Sequence, residues 1–282
     1  MSQSIFTLGE DGRLTPTSHA RGPWDPNALH GGAPAALITS VFERIQPGEQ
    51  LPFARLSFSF LRPVPLAPLA LDTQVIRPGR RVQELQAELR AEGELVCRAS
   101  ALRIQAVPEP LPQSALDLLE QNTTPALAGP EQGHAIHFAL DDTSRDSFAA
   151  SAMEMRFLRG QPLAGASVDQ QAPAVQALSG SAAVWMRMRH PLLPGEPLTP
   201  LARLAGVADF GNGVSAVLPF QEYVFINADL LITLERQPRG EWIALDALTL
   251  LHPGGVGWSR SVMHDQYGRV GLATQALVVG RR

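Results

Sequence analysis

Apolar and polar positions alternate with a period of two in several runs of the chain. Leu56, Phe58 and Phe60 alternate with Ser57 and Ser59, and Leu85, Ala87 and Leu89 with Glu84, Gln86, Glu88 and Arg90. Such runs predict strands with one buried face. Ahead of them Ala33, Leu37, Ile38 and Val41 share one helical face, which predicts a helix over about residues 33–44. Pro34 suits its first turn, where the N–H has no intrahelical partner. In the second half Met153, Met155 and Phe157 alternate with Glu154 and Arg156, and a further strand is expected over residues 184–189. Thr199-Pro200 offers an N-cap hydroxyl with proline at the first helical position. Leu201, Leu204, Ala205 and Ala208 would line the inner face of that helix, with Gly211 marking its end, and strands from about Tyr223, Trp242, Trp258 and Val270 follow. Each half reads as a helix held by a one-faced antiparallel sheet, so the fold class is α+β.

The halves also share a register. Arg62 is followed ten residues on by Asp72, then by the turns Pro78-Gly79 and Glu92-Gly93. Arg236 is followed ten residues on by Asp246, then by Pro253-Gly254 and Tyr267-Gly268. The step from Asp to the second-turn Gly is 21 in one half and 22 in the other. A tandem duplication of one unit follows. Residues 1–108 form the first unit and 136–282 the second, with a linker over 109–135 rich in Pro, Ala and Gln. Its short helical candidate covers residues 114–121, and the stretch 166–182 reads as a small, polar loop. Overlaying the copies sets Asp229 against Arg55, Thr249 against Val75 and Gln275 against Ser100. An acid, a hydroxyl and an amide on three strands of one copy suggest a specialised site. Ordinary strand residues facing water are the competing reading.

Composition narrows the chemistry. The 282 residues carry a formal charge of −4, and all 23 Lys and Arg residues are arginine. Schiff-base lysines and the lysine-dependent phosphate loop drop out. No basic stripe points to nucleic acid. Cys97 stands alone in an alternating strand, where a buried structural thiol is expected. The seven histidines lack metal-ligand spacing, no signal sequence opens the chain, and no apolar stretch is long enough to span a membrane. A soluble cytoplasmic protein without metal is expected.

His30-Gly31-Gly32, the strand end Phe60-Leu61-Arg62-Pro63, Met153-Glu154-Met155-Arg156, Ala208-Asp209-Phe210, Asp229, Thr249 and Gln275 form an ordered series. It resembles that of the acyl-CoA thioesterase II (TesB-like) family, over about four-fifths of the chain. The resemblance implies a double hotdog, in which a curved antiparallel sheet wraps a central helix twice. It implies hydrolysis of acyl-CoA to free acid and CoA without a cofactor, and a homodimer. It also assigns Asp229, Thr249 and Gln275 as the groups that hold and activate water. The chain departs from the family's pattern at Glu235, Gln237 and Pro238, where an aromatic- and His-containing segment with Arg-Pro is expected.

Thioester hydrolysis needs a base for the attacking water and donors for the carbonyl oxygen. Helix starts near Gly31-Gly32 and near Leu201 could supply backbone N–H donors, and the glycines would permit close approach. Their alternative reading is a tight turn into a helix. Asn27 with His30-Gly31-Gly32 also resembles the Asn…His-Gly-Gly signature of single-hotdog thioesterases, for which Asp209 would supply the acid. Arg62, Arg80 and Arg81 are candidates for CoA phosphates, or a solvated rim. Two other functions remain open: an acyl-CoA binding or sensing protein, and a hotdog dehydratase or hydratase. The latter needs an Asp/His pair, which sequence spacing does not offer.

Overall fold

A computed structural model describes residues 3–45, 51–106, 110–121, 125–138, 146–160, 166–168, 178 and 180–282. The first copy contains β1 (Phe6–Leu8), β2 (Leu14–Pro16), α1 (Gly32–Arg44), β3 (Phe53–Phe60), β4 (Leu69–Pro78), β5 (Val82–Ala91) and β6 (Glu94–Ile104). A short helix, α2 (Gln113–Gln121), precedes the second copy. That copy contains β7 (His134–Phe138), β8 (Met153–Arg159), β9 (Ala166–Val168), β10 (Ser181–Met188), α3 (Pro200–Ala208) and α4 (Gly211–Val214). It ends with β11 (Tyr223–Asn227), β12 (Asp229–Leu234), β13 (Ile243–Leu251), β14 (Val256–Asp265) and β15 (Gly268–Arg281).

The strands form one sheet with the order β1-β2-β4-β5-β6-β3-β12-β15-β14-β13-β10-β8-β7-β9, and β11 also pairs with β15. The copies join through β3 and β12, where Leu56 faces Ile232 and Ser59 faces Asp229 in an antiparallel ladder. Reading outward from that seam, β6-β5-β4-β2 on one side matches β15-β14-β13-β10 on the other. This is the expected double hotdog, fused into a continuous sheet that leaves no free edge at the junction.

Both central helices lie against the sheet and against each other. Residues 32–40 of α1 are all buried, because the sheet takes one side and α3 the other. The helices run antiparallel. Gly32 meets Gly206 at one end, and Thr199 donates its hydroxyl to Glu43 at the other. A methyl group on Gly32 would sit 2.4 Å from the Gly206 carbonyl oxygen, so the glycine permits a close helix crossing. Thr199 caps α3 as expected, accepting the Ala202 N–H at 3.1 Å.

Several expectations need correction. Gly211 does not simply close the helix; after two residues it opens the extra turn α4. The strand expected from Tyr223 is broken at Ala228 into β11 and β12. Gln275 is the counterpart of Ala101, not Ser100. It lies 174 positions after Ala101, the same step that relates Thr249 to Val75. Inward Ala99, Ala101 and Arg103 then match inward Ala273, Gln275 and Leu277, whereas a one-residue slip would exchange the faces of the sheet. Most of the expected 166–182 loop lies outside the described residues, but 166–168 form β9, paired with β7. Within the expected linker, Leu127 packs on Trp185, Trp242 and Ala244, and the Trp185 indole donates to the Ala128 carbonyl at 2.7 Å.

Candidate active site at the junction of the two copies

Asp209 is the residue on which the two copies converge. It caps the C-terminal end of α3, where the helix dipole disfavours an anion, and only 3% of its side chain is exposed. Donors compensate on both oxygens. Asn227 Nδ2 donates to Oδ1 at 2.8 Å, and Gln275 Nε2 donates to the Asp209 carbonyl at 3.1 Å and lies 3.4 Å from Oδ1. Oδ2 lies 2.9 Å from Nδ1 of His30, which comes from the first copy. The residue between His30 and α1 has to be small. A methyl on Gly31 would fall 2.8 Å from Oδ2 and 2.9 Å from the Phe60 ring.

His30 Nδ1 has two claimants, because the Gly32 N–H also approaches it at 3.1 Å. One in-plane lone pair cannot serve both. Two lone pairs 2.9 Å apart would repel, so the carboxylate contact requires a proton between Oδ2 and Nδ1. With that proton in place Nε2 is the accepting nitrogen of the ring; without it Nδ1 accepts the Gly32 N–H instead. The imidazole stacks on Phe210 at 4.2 Å and tilts against Phe148 at 5.2 Å, so apolar faces hold it in place. Its side chain is 11% exposed against 3% for Asp209, so solvent reaches the ring before the carboxylate. Sequence spacing offered no Asp/His pair of the hydratase kind, but the structure brings together the Asp209 and His30 that the Asn…His-Gly-Gly resemblance had linked. The pair is separated by 179 positions and assembled by the helix crossing.

Thr249, Ser259 and Gln275 form a row across β13, β14 and β15, all facing inward and buried. Two of the three are occupied with the α4 turn, while the buried Ser259 hydroxyl has no hydrogen-bond partner among the described residues. Gln275 Oε1 accepts the Asn212 N–H at 3.1 Å, and Thr249 Oγ1 shares a 2.7 Å hydrogen bond with Ser215, which in turn donates to the Gly211 carbonyl. Asp229 sits apart from this row. β15 pairs Leu277 with Asn227 and Thr274 with Leu231, so the β11–β12 side carries one extra residue, a bulge. Asp229 Oδ1 fills the gap by accepting the Ala276 N–H at 2.6 Å. Of the three residues overlaid from sequence, the structure thus brings Thr249 and Gln275 together. The carboxylate it places on Gln275 is that of Asp209.

The other candidates separate. Asn27 is exposed, and its backbone, not its amide, is tied to Asp25 and Leu66. The α3 start at Leu201 lies by Glu43, at the opposite end of the helix pair from His30, so only the α1 start adjoins Asp209. Arg62 pairs with Glu94 in solvent, and Arg80 and Arg81 are exposed in the β4–β5 turn. A groove of about 540 Å³ lined by Glu154, Arg187, Met188, Arg189 and Glu241 shares no residue with this group and is crossed by ion pairs of Arg187 with both glutamates. Burial, with Asp209 nearby, pushes the Cys97 thiol up to about 12, so it stays protonated. Asn227 had no signal in the sequence, because the bulge that turns it toward Asp209 leaves no periodic trace.

Residues 20–104 match the profile of the acyl-CoA thioesterase N-terminal domain, and residues 130–279 that of the C-terminal domain. The chain belongs to the acyl-CoA thioesterase family. Solved structures share the fold of this thioesterase-family chain at low identity. A candidate thioesterase II from Thermobifida fusca is 17% identical with a TM-score of 0.68, covering 97% of this chain and 95% of that one. A hotdog-fold protein of unknown function from Alicyclobacillus acidocaldarius is 16% identical with a TM-score of 0.66, covering 98% and 95%. The acyl-CoA thioesterase II TesB2 of Mycobacterium marinum is 17% identical with a TM-score of 0.60, covering 89% of each chain. No functionally curated protein matches. No helix among the described residues is long and apolar enough to cross a membrane.

Proposed function

We propose that the protein hydrolyses acyl-CoA to a free carboxylic acid and CoA at the junction of the two copies. The observation that carries this reading is the contact between His30 and Asp209 beside the start of α1. His30 Nε2 takes a proton from water as the water oxygen attacks the thioester carbon. The Gly32 N–H, at the positive end of α1, meets the oxyanion that forms. As the C–S bond breaks, the imidazolium returns its proton to the leaving thiolate. Asp209 holds the ring in the required tautomer and stabilises its cationic form. A base so placed supplies about 10²–10⁴-fold. Gln275 keeps Asp209 in position, and Thr249 fastens the α4 turn that follows it.

A second reading keeps Asp229 as the base, with Thr249 and Gln275 orienting the water. Partial exposure of the Asp229 carboxylate favours it; the engagement of both partners with α4 counts against it. Release of CoA thiol from a panel of acyl-CoA chain lengths tests the activity common to both. Turnover with at least one acyl group is expected. Tight acyl-CoA binding with no thiol released by any of them would instead make the protein a binding or sensing module.

We further propose that two chains pair through the outer face of the second copy. Leu250 pairs across strands with Trp258, and Val256 with Val278, leaving an apolar patch in which Val256 is 71% and Val278 61% exposed. Light scattering at micromolar concentration should give a dimer that Trp258→Glu converts to a monomer. A wild-type monomer would refute this pairing.

A further inference from the structure

An aromatic and cationic cluster lies at the rim of the junction and takes no part in the steps above. Trp24, from the segment before α1, stacks on Phe220 with ring centroids 4.6 Å apart and meets Phe225 edge-on at 4.9 Å. The Arg282 guanidinium lies 4.7 Å from the Phe220 centroid and 5.5 Å from that of Trp24, and Arg281 lies over Tyr223 at 5.8 Å. Phe225 is buried and anchors the group, and its carbonyl accepts from Asn212 Nδ2 in α4. Trp24, Phe220 and Tyr223 are half-exposed, and both arginines are exposed. Neither arginine forms an ion pair among the described residues, and Asp25, beside Trp24, is turned back onto the Asn27 N–H at 2.8 Å. Tyr223 lies about 13 Å along β11 from Asn227, whose amide meets Asp209.

We propose that this cluster is the subsite for the nucleotide end of CoA, its ring faces taking the adenine and Arg281 and Arg282 the phosphates. Purine bases stack on aromatic side chains through their π-faces. Stacking occupies the face of a guanidinium and leaves the N–H groups at its edge for phosphate oxygens. An acyl chain would instead need a dry apolar wall, which exposed guanidiniums do not offer. The pantetheine arm of CoA joins its two ends, so a nucleotide held at the rim leaves the thioester at the junction. Such remote binding favours acyl-CoA over the same acyl thioester without its nucleotide. The inference rests on acyl-CoA as the substrate and not on which group activates the water.

Hydrolysis of one acyl-CoA and of the matching acyl-pantetheine, which lacks the nucleotide, compares wild type with Trp24→Ala and Arg282→Gln. Calorimetric titration with adenosine 3′,5′-bisphosphate reads the subsite without turnover. Arg282→Gln removes a charge at an exposed position, so it keeps the test decisive if Trp24→Ala disturbs the segment before α1. Each variant should lower the ratio of kcat/KM for acyl-CoA to that for acyl-pantetheine by about 5- to 100-fold, mainly through KM for acyl-CoA. Affinity for the bisphosphate should fall by a similar factor, and in wild type it should weaken as salt is raised. No bisphosphate binding by wild type, or a folded Arg282→Gln enzyme with an unaltered ratio, would overturn the inference. A wild type that binds the bisphosphate yet releases no CoA from any acyl-CoA would sink the hydrolysis reading and leave the subsite standing.

Discussion

Asp209→Asn should cut acyl-CoA hydrolysis by about 10²–10⁴-fold while leaving the fold intact. The substitution keeps the volume of the side chain, and its Oδ1 still accepts from Asn227. The change falls on the other atom. An amide nitrogen facing His30 Nδ1 donates a hydrogen where the carboxylate accepted one, so the ring proton moves to Nε2 and the base disappears. Asp229→Asn is the matched control. Its Oδ1 still accepts the Ala276 N–H, so the bulge is kept, and turnover should stay within a few-fold of wild type. Initial rates of CoA release at saturating and limiting acyl-CoA decide the matter. If Asp229→Asn loses activity and Asp209→Asn does not, the base is Asp229 and the water is held by Thr249 and Gln275.

Gly32→Ala should be a strongly destabilising one-methyl change at the helix crossing. The new Cβ would stand 2.4 Å from a backbone oxygen of Gly206 and 2.8 Å from the Phe148 ring. A flexible side chain could move aside, but the Gly206 carbonyl is fixed within α3, so the helices must separate. Overpacking of this kind costs about 1–3 kcal/mol. At roughly 2–4 °C per kcal/mol for a domain of 150–250 residues, Tm should fall by about 2–12 °C. Gly280→Ala, whose methyl would meet only Val224 at 3.6 Å, should leave Tm within about 1 °C. Thermal unfolding followed by circular dichroism compares them. Equal Tm values for Gly32→Ala and wild type would show that α1 and α3 do not cross this closely. Because His30 and Asp209 lie on the two crossing elements, Gly32→Ala should also lower kcat more than Gly280→Ala does.

Much of the architecture was legible in the chain because strand and helix periods are local properties. The alternation at Leu56-Phe58-Phe60 and at Met153-Met155-Phe157 reports which face of each strand is buried. Thr199-Pro200 reports a helix start through capping chemistry within three residues. Near-equal spacing in the two halves reports duplication, while the double hotdog came from the family resemblance. Gln275 was singled out, yet its partner in the first copy was misjudged by one residue. Turn lengths count residues, whereas the face of a strand depends on parity, and only the burial pattern fixes parity.

The site is a different matter. His30 and Gly31-Gly32 were visible as a motif and Asp209 as an acid on an apolar helix, but nothing in their spacing joins them. Their contact exists because two helices from different copies run antiparallel and cross where neither has a side chain. The bulge before Asp229 likewise turns one carboxylate into the sheet ladder and Asn227 toward the other. Local sequence determined the elements and their repetition, through hydrogen-bonding periods and burial. Which acid meets which base was decided by packing between elements far apart in the chain, since side-chain contacts depend on distances in space that residue counting does not contain.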